Sequence, residues 1–186
     1  MIISLIGFMG CGKSSVGREL SRLLCCRFMD LDDVIIESEG RSIPEIFATD
    51  GEAAFRRMEL NTLSLIIQSS QKGDLKHSLP DVERVLALGG GTVMTPECAE
   101  IVKANTLCVY LRTSVDTLLE HLSGEADGRP MLNSSDDSVD KLAALRHRIT
   151  ELMALRSDTY QKTAHIIIDT DGKSISTISK EIINSL

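Results

Sequence analysis

A glycine-rich loop near the start of the chain constrains the fold more than any other feature. The apolar run IISLI at residues 2–6 precedes GFMGCGKS at 7–14, which matches G-x-x-x-x-G-K-[ST]. Apolar residues from Val16 to Leu24 then recur at helical spacing. A continuous apolar run is typical of a buried parallel strand, so the segment predicts a strand, a loop and a helix.

This arrangement is typical of a site for the phosphates of a nucleotide. Glycines let the backbone turn its N–H groups towards an anion, and the helix N-terminus adds partial positive charge. Lys13 would reach the β- and γ-phosphates, and the hydroxyl of Ser14 would bind Mg²⁺. The predicted ATP-binding residues of the loop are Gly10, Cys11, Gly12, Lys13, Ser14 and Ser15.

The same opening residues could instead form a secretion or lipoprotein signal. Such a signal needs positive charge before its apolar stretch, and Lys13 is the first basic residue here. We therefore favour the phosphate loop and expect a cytoplasmic protein.

Composition limits the partners of this chain of 186 residues. Its net charge of −7 disfavours nucleic acid and anionic lipid, and it has no run of 18 apolar residues, so we expect no nucleic-acid or membrane partner. The five cysteines are odd in number and fit a reducing compartment. The adjacent Cys25 and Cys26 could form a redox pair, but packing at a helix end is the simpler interpretation.

Strand and helix patterns alternate along the whole chain, which predicts an α/β fold built on one parallel sheet with helices on both faces. We expect five strands, at 2–6, 27–31, 85–88, 107–111 and 166–169. The polar stretch 69–83 is predicted to be a surface loop, and the polar, glycine-containing stretch 123–138 a lid. The length favours a single domain over 1–186.

Charged residues follow several of these strands. Asp30 and Asp32 end the second strand, at the sheet edge where ligands collect. Acids favoured in the first turn of a helix explain Asp33 but do not require Asp30. Arg56 and Glu59 have the spacing of a surface ion pair on a helix, which would contribute little to stability.

Three further features add to this set. Gly89, Gly90 and Gly91 follow a buried strand and would permit close approach of the backbone to a ligand. Arg129 lies in the predicted lid, and Arg156 on the last long helix.

Taken together, these segments resemble the shikimate kinase family. The resemblance rests on GFMGCGKSSVG at 7–17, DLD at 30–32, GRSIPEIFATDGEAAFRRME at 40–59, LGGG at 88–91, GRPML at 128–132 and RSDTY at 156–160. They occur in the family's order over most of the chain. The resemblance implies a P-loop kinase fold with strand order 2-3-1-4-5, a substrate-binding region at 33–60, and Mg-ATP-dependent phosphorylation of the 3-hydroxyl of shikimate. We expect a monomer, because no exposed apolar stripe is left over once the core is assigned.

The resemblance also implies a role for each matching residue. Asp32 would bind the ring hydroxyls and would either accept the proton or only orient the hydroxyl. Lys13 and Arg129 would stabilise the transferring phosphoryl group. Ser14 and, through water, Asp30 would hold the metal. The implied substrate-binding residues are Asp32, Arg56, Glu59, Gly89, Gly90, Gly91 and Arg156.

Two departures from the family pattern qualify this expectation. The family usually presents an arginine that stacks on adenine near 120–122, where this chain has Glu120, His121 and Leu122. We expect weaker ATP binding or stacking by His121. Cys11 beside Lys13 at a helix start predicts a reactive thiol that ATP protects.

Two alternatives stay open on the sequence alone. One is a gluconate kinase, which has a similar fold and phosphate loop. The paired arginines do not separate the two enzymes, because they suit a carboxylate acceptor in either. A non-catalytic nucleotide-binding regulator would be expected to have lost Lys13, Asp32 or one of the arginines, and all are present.

Overall fold

The structure of the chain is a computed structural model that describes residues 1–70, 82–123 and 141–186. The described residues form five strands: β1 Ile2–Ile6, β2 Arg27–Asp30, β3 Arg84–Ala87, β4 Leu107–Arg112 and β5 Ile166–Asp169. They also form eight α-helices: α1 Lys13–Leu23, α2 Leu31–Glu39, α3 Ile43–Asp50, α4 Glu52–Ser70, α5 Pro96–Asn105, α6 Val115–Leu122, α7 Lys141–Thr163 and α8 Ile175–Asn184. A single 3-10 turn spans Thr92–Met94.

The five strands form one parallel sheet in the order β2-β3-β1-β4-β5, which confirms the predicted order. Ile3 of β1 pairs with Val85 of β3 on one side and with Leu107 of β4 on the other. Because all strands run the same way, their carboxyl ends lie along one edge, where ligands bind in this class of sheet.

Helices cover both faces of the sheet and bury two apolar cores. Alternate residues of β1 point to opposite faces: Ile3 and Leu5 pack into one core, and Ile2 and Ile6 into the other. The first core also contains residues of α1, α6, α7 and α8, and the second contains residues of α2, α3, α4, α5 and α7. Burial on both faces explains why the central strands are apolar without alternation.

The second strand ends one residue earlier than predicted. Asp30 is the N-cap of α2, because its Oδ1 accepts a hydrogen bond from the backbone N–H of Asp32 at 3.1 Å. The helix then begins at Leu31 and ends at Glu39, and it is capped by Gly40, whose φ of 64° suits a glycine. The expectation that helix capping does not require Asp30 is therefore wrong.

The start of α3 is fixed by hydrogen bonds between its own first residues. Ser42 and Glu45 form a reciprocal capping box, in which the carboxylate of Glu45 accepts the backbone N–H of Ser42 at 2.7 Å. This start directs Phe47 of α3 against Phe55 of α4, with their ring centroids 5.0 Å apart.

Two predicted features lie outside the described residues. Residues 71–81 include most of the predicted loop at 69–83, and residues 124–140 include nearly all of the predicted lid together with Arg129. No helix within the described ranges is both long enough and apolar enough to cross a membrane.

Replacing Ser42 with alanine should destabilise the protein by about 1 kcal/mol, because the cap of α3 loses its acceptor. Urea unfolding measures the change. Ser64→Ala is the matched control, since the Ser64 hydroxyl donates to the Leu60 carbonyl inside α4, where its removal should cost little. Equal losses in the two variants would contradict a specific role of the cap.

Candidate active site

The glycine loop between β1 and α1 adopts a backbone that few other residues tolerate. Gly7, Gly10 and Gly12 have φ values of 145°, 81° and 90°. A Cβ on Gly10 would lie 2.8 Å from Leu122, and one on Gly7 would lie 2.7 Å from the Leu111 carbonyl oxygen. The loop is thus held closely against β4 and α6.

Lys13 opens α1 and folds back over the loop. Its Nζ donates to the carbonyl oxygens of Gly7 at 2.9 Å and Phe8 at 3.0 Å. The N–H groups in the first turn of a helix have no partner within that helix, so positive charge is concentrated here. The loop therefore has the groups needed to bind a phosphate chain.

Cys11 belongs to the interior of this loop. Its side chain is 4% exposed, its Sγ lies close to Gly7, and its backbone N–H donates to the Phe8 carbonyl oxygen at 3.2 Å. The expected reactivity towards thiol reagents is therefore not supported, because reagents cannot readily reach the buried sulfur. Cys25, beyond the other end of α1, is exposed instead.

Ser14 and Asp30 meet beside the loop. The Ser14 hydroxyl donates to Asp30 Oδ2 at 2.6 Å, while Asp30 Oδ1 caps α2. A hydroxyl and a carboxylate are oxygen ligands of the kind that Mg²⁺ prefers, usually with water and phosphate oxygens completing its shell. The pair therefore fits the metal that the sequence predicts.

Asp32 lies two positions after Asp30, in the first turn of α2, and carries an unsatisfied oxygen. Its Oδ1 is buried and has no hydrogen-bond partner among the described residues. Burial, together with the neighbouring charges of Asp30 and Glu59, raises the pKa of Asp32 to about 6, although Lys13 opposes this shift. A carboxylate of this kind can accept a proton close to neutral pH.

Arg56 projects from α4 and is held by two carboxylates. It donates to Glu59 Oε2 at 2.6 Å and to Glu52 Oε1 at 2.9 Å. Glu59 is fully buried, so this contact is not the weak surface ion pair that the spacing alone allowed. The guanidinium is thereby fixed in position, with its side chain 19% exposed.

The glycine run at 89–91 connects these groups to the phosphate loop. A Cβ on Gly90 would lie 3.0 Å from the Met9 nitrogen, and one on Gly91 would lie 2.6 Å from Arg56 Nη2. Arg156 and the Tyr160 hydroxyl both donate to the Gly90 carbonyl oxygen. A side chain at any of these glycines would displace part of the site.

One cleft of about 1220 Å³ joins the two halves of the site. The predicted residues that line it are Gly10, Cys11, Gly12, Lys13, Ser14, Ser15, Asp32, Arg56, Glu59, Gly89, Gly90, Gly91 and Arg156. Asp30 stands behind Ser14, and Arg129 lies outside the described residues.

Sequence reasoning missed two parts of the cleft. Ile43, Pro44 and Phe47 of α3 and Phe55 of α4 form an apolar wall. The segment that follows β5 also lines the cleft, through Thr170, Gly172, Lys173, Ser174, Ile175 and Ile178. The apolar residues lie in the quoted 40–59 segment, which could have indicated them. The turn after β5 carries no comparable pattern.

His121 of α6 lies beside the phosphate loop. Its Nδ1 forms a hydrogen bond of 2.8 Å with the Gly10 carbonyl oxygen, and its ring is exposed and lines the cleft. The contact holds the end of α6 against the phosphate loop and leaves a ring face available to a ligand.

The raised pKa of Asp32 predicts how stability depends on pH. Between about pH 4 and 6 the folded protein holds a proton on Asp32 that the unfolded chain releases, so this group lowers stability as pH rises through that range. Asp32→Asn should therefore increase the free energy of unfolding by about 1 to 3 kcal/mol at pH 8.

The gain in the free energy of unfolding that Asp32→Asn gives over the original chain should shrink towards pH 4. Urea unfolding across this range measures it, and Asp33→Asn is the control, because Asp33 is exposed on the same helix turn. A gain that does not change with pH would contradict the assignment of this effect to Asp32.

Comparison with known proteins agrees with the geometry. A family model described as shikimate kinase matches residues 9–186. The shikimate kinase of Chlorobaculum parvum is 38% identical over 181 residues, covering 97% of this chain and 89% of its own length. A shikimate kinase of Thermus thermophilus is 36% identical over 184 residues, covering 99% of this chain and 89% of its own length.

A solved structure shows the same relationship in three dimensions. The shikimate kinase from Acinetobacter baumannii in complex with shikimate has a TM-score of 0.81 and 30% identity, covering 99% of this chain and 91% of that one. With a family model over nearly the whole chain and a matching fold, the chain belongs to the shikimate kinase family.

Proposed function

We propose that this protein is a shikimate kinase, which transfers the γ-phosphoryl group of ATP to the 3-hydroxyl of shikimate in aromatic amino acid biosynthesis. The observation that carries the proposal is the single cleft that places a phosphate loop beside Asp32 and two arginines. The family membership and the shikimate complex of the Acinetobacter baumannii relative support it.

The acceptor half of the cleft suits a carboxylated ring. Two guanidiniums bind one carboxylate in a planar, bidentate manner that ammonium groups cannot match. Arg56 and Arg156 serve this purpose, with Glu59 holding Arg56 in place. The apolar wall that includes Phe47 would cover the carbon face of the ring, and the backbone of 89–91 would line its edge.

Asp32 is placed to receive the proton of the 3-hydroxyl. As the acceptor oxygen forms its bond to the γ-phosphorus, the bond from that phosphorus to the β–γ bridging oxygen breaks, and ADP leaves with the electron pair. The hydroxyl proton passes to a carboxylate oxygen of Asp32, whose raised pKa favours accepting it. Asp32 also orients the hydroxyl before transfer.

The phosphate half of the cleft neutralises charge. Lys13 exchanges its contacts with Gly7 and Phe8 for phosphate oxygens, and the N–H groups at the start of α1 hold the β-phosphate. Ser14 and, through water, Asp30 would hold Mg²⁺, which supplies charge neutralisation across the β- and γ-phosphates when it is bound. Arg129 remains the predicted lid residue that approaches the transferring group.

The remaining assignments follow from this chemistry. The protein would act in the cytoplasm, where ATP is available. It would function as a monomer, because the cleft is formed by elements of one chain. A gluconate kinase remains the alternative acceptor class, and the apolar wall argues against it, since an open-chain polyol would leave that wall uncovered.

The experiment that tests the proposal measures ADP release from Mg-ATP with shikimate, with gluconate and with no acceptor. Turnover that depends on shikimate supports the proposal. Turnover with gluconate alone overturns the assignment of shikimate as the acceptor. ATP binding without acceptor-dependent turnover favours the nucleotide-binding regulator.

Arg56→Lys should raise the KM for shikimate roughly tenfold or more, because an ammonium loses the bidentate grip on the carboxylate. Its KM for ATP should stay close to that of the original chain. Arg57→Lys is the matched control, since Arg57 is the exposed neighbour on the same helix. An unchanged KM for shikimate in Arg56→Lys would remove the proposed carboxylate contact.

His121→Ala should raise the KM for ATP severalfold and leave the KM for shikimate unchanged, because the ring both contacts the phosphate loop and offers a face to adenine. Initial rates at varied ATP measure the effect, with His147→Ala, an exposed histidine of α7, as control. An unchanged KM for ATP would exclude stacking by His121.

A further inference from the structure

Thr92 is a buried hydroxyl residue directly after the glycine run, and none of the roles above uses it. It is 0% exposed and begins the 3-10 turn, where its backbone N–H donates to the Gly89 carbonyl oxygen at 3.2 Å. Its hydroxyl donates to Oε1 of Glu59 at 2.5 Å. The tight turn of the glycine run therefore aims this hydroxyl at a buried carboxylate.

The two oxygens of Glu59 have different partners. Oε2 accepts from Arg56, and Oε1 accepts from Thr92, so the two donors lie on different elements. A buried carboxylate with both oxygens engaged has a single favoured orientation, because rotation would break both contacts at once. Thr92 and Arg56 thus fix Glu59 from opposite sides.

The need for this restraint comes from a neighbouring negative charge. Oδ1 of Asp32 and Oε1 of Glu59 each lie 2.9 Å from the position that a Cβ on Gly89 would occupy, and so does the Thr92 hydroxyl oxygen. The two carboxylates therefore face the same small space across Gly89. Without a donor on Oε1, like-charge repulsion would turn Glu59 away from Asp32 and disturb its hold on Arg56.

We propose that Thr92 is a positioning residue, whose hydroxyl locks Glu59 in the orientation that fixes Arg56 and so sets the affinity for the carboxylate of the acceptor. The proposal rests on the proposed function for the identity of that acceptor. Thr92 itself is fully buried and does not line the cleft.

Thr92→Val tests the proposal, because valine keeps the branched shape and removes the hydroxyl. Loss of a hydrogen bond to a buried charged group should raise the KM for shikimate roughly tenfold. The turnover number and the KM for ATP should change less than about twofold, and Thr92→Ser should restore most of the affinity. Should valine disturb the packing, Thr92→Ala compared with Thr92→Ser makes the same comparison.

Thr106→Val is the matched control. Thr106 is also buried and also donates from its hydroxyl, to the Val102 carbonyl oxygen at 2.7 Å, but it contacts Ser4 and lies outside the cleft. This variant should leave the KM for shikimate unchanged. Equal effects of Thr92→Val and Thr106→Val on that KM would overturn the proposal, as would full activity of Thr92→Val with no rise in KM.

A double-mutant cycle without substrate separates this inference from the proposed function. Urea unfolding of Thr92→Val, Glu59→Ala and the double variant should give non-additive losses, because either single change alone already breaks the hydrogen bond between Thr92 and Glu59. Additive losses would overturn the positioning role. Coupling in the cycle without any shikimate turnover in the original chain would instead overturn the proposed function and retain the Thr92–Glu59 contact.

Discussion

The close approach of two glycine segments is the constraint on which the rest of the site depends. β1 and β3 are neighbouring parallel strands, so the loops that follow them leave the sheet side by side. Gly90 then runs against the backbone at Met9, and Gly91 against the guanidinium of Arg56. This contact brings the phosphate half and the acceptor half of the cleft within reach of one transferring group.

Basic groups gather in the cleft although the chain as a whole is acidic. The protein carries a net charge of −7, yet its cleft collects Lys13, Arg56 and Arg156 together with the start of α1. The acids in the same place are held close together, and the pKa of Asp32 rises because burial and its acidic neighbours penalise its charge. The site thus keeps an arrangement that disfavours the folded state, as a site that needs a proton acceptor would.

Much of this structure could be predicted from the sequence. The strand order, the capping box at Ser42 and the cleft position of the phosphate loop all follow from local patterns and from the family resemblance. What could not be predicted depends on contacts between distant residues. The spacing of Arg56 and Glu59 is the same for a surface pair as for the buried clamp, and the partner of Thr92 is 33 positions away along the chain.

The two carboxylate oxygens of Asp30 have different partners. One caps α2, and the other accepts a hydrogen bond from the Ser14 hydroxyl of α1. The residue therefore ties the beginning of one helix to the beginning of another across the sheet edge. Asparagine would keep the cap but lose the charge, and serine would keep a cap but not reach both partners. Few substitutions of Asp30 can therefore keep both contacts. A residue that still caps α2 does not for that reason still accept the Ser14 hydroxyl beside the phosphate loop.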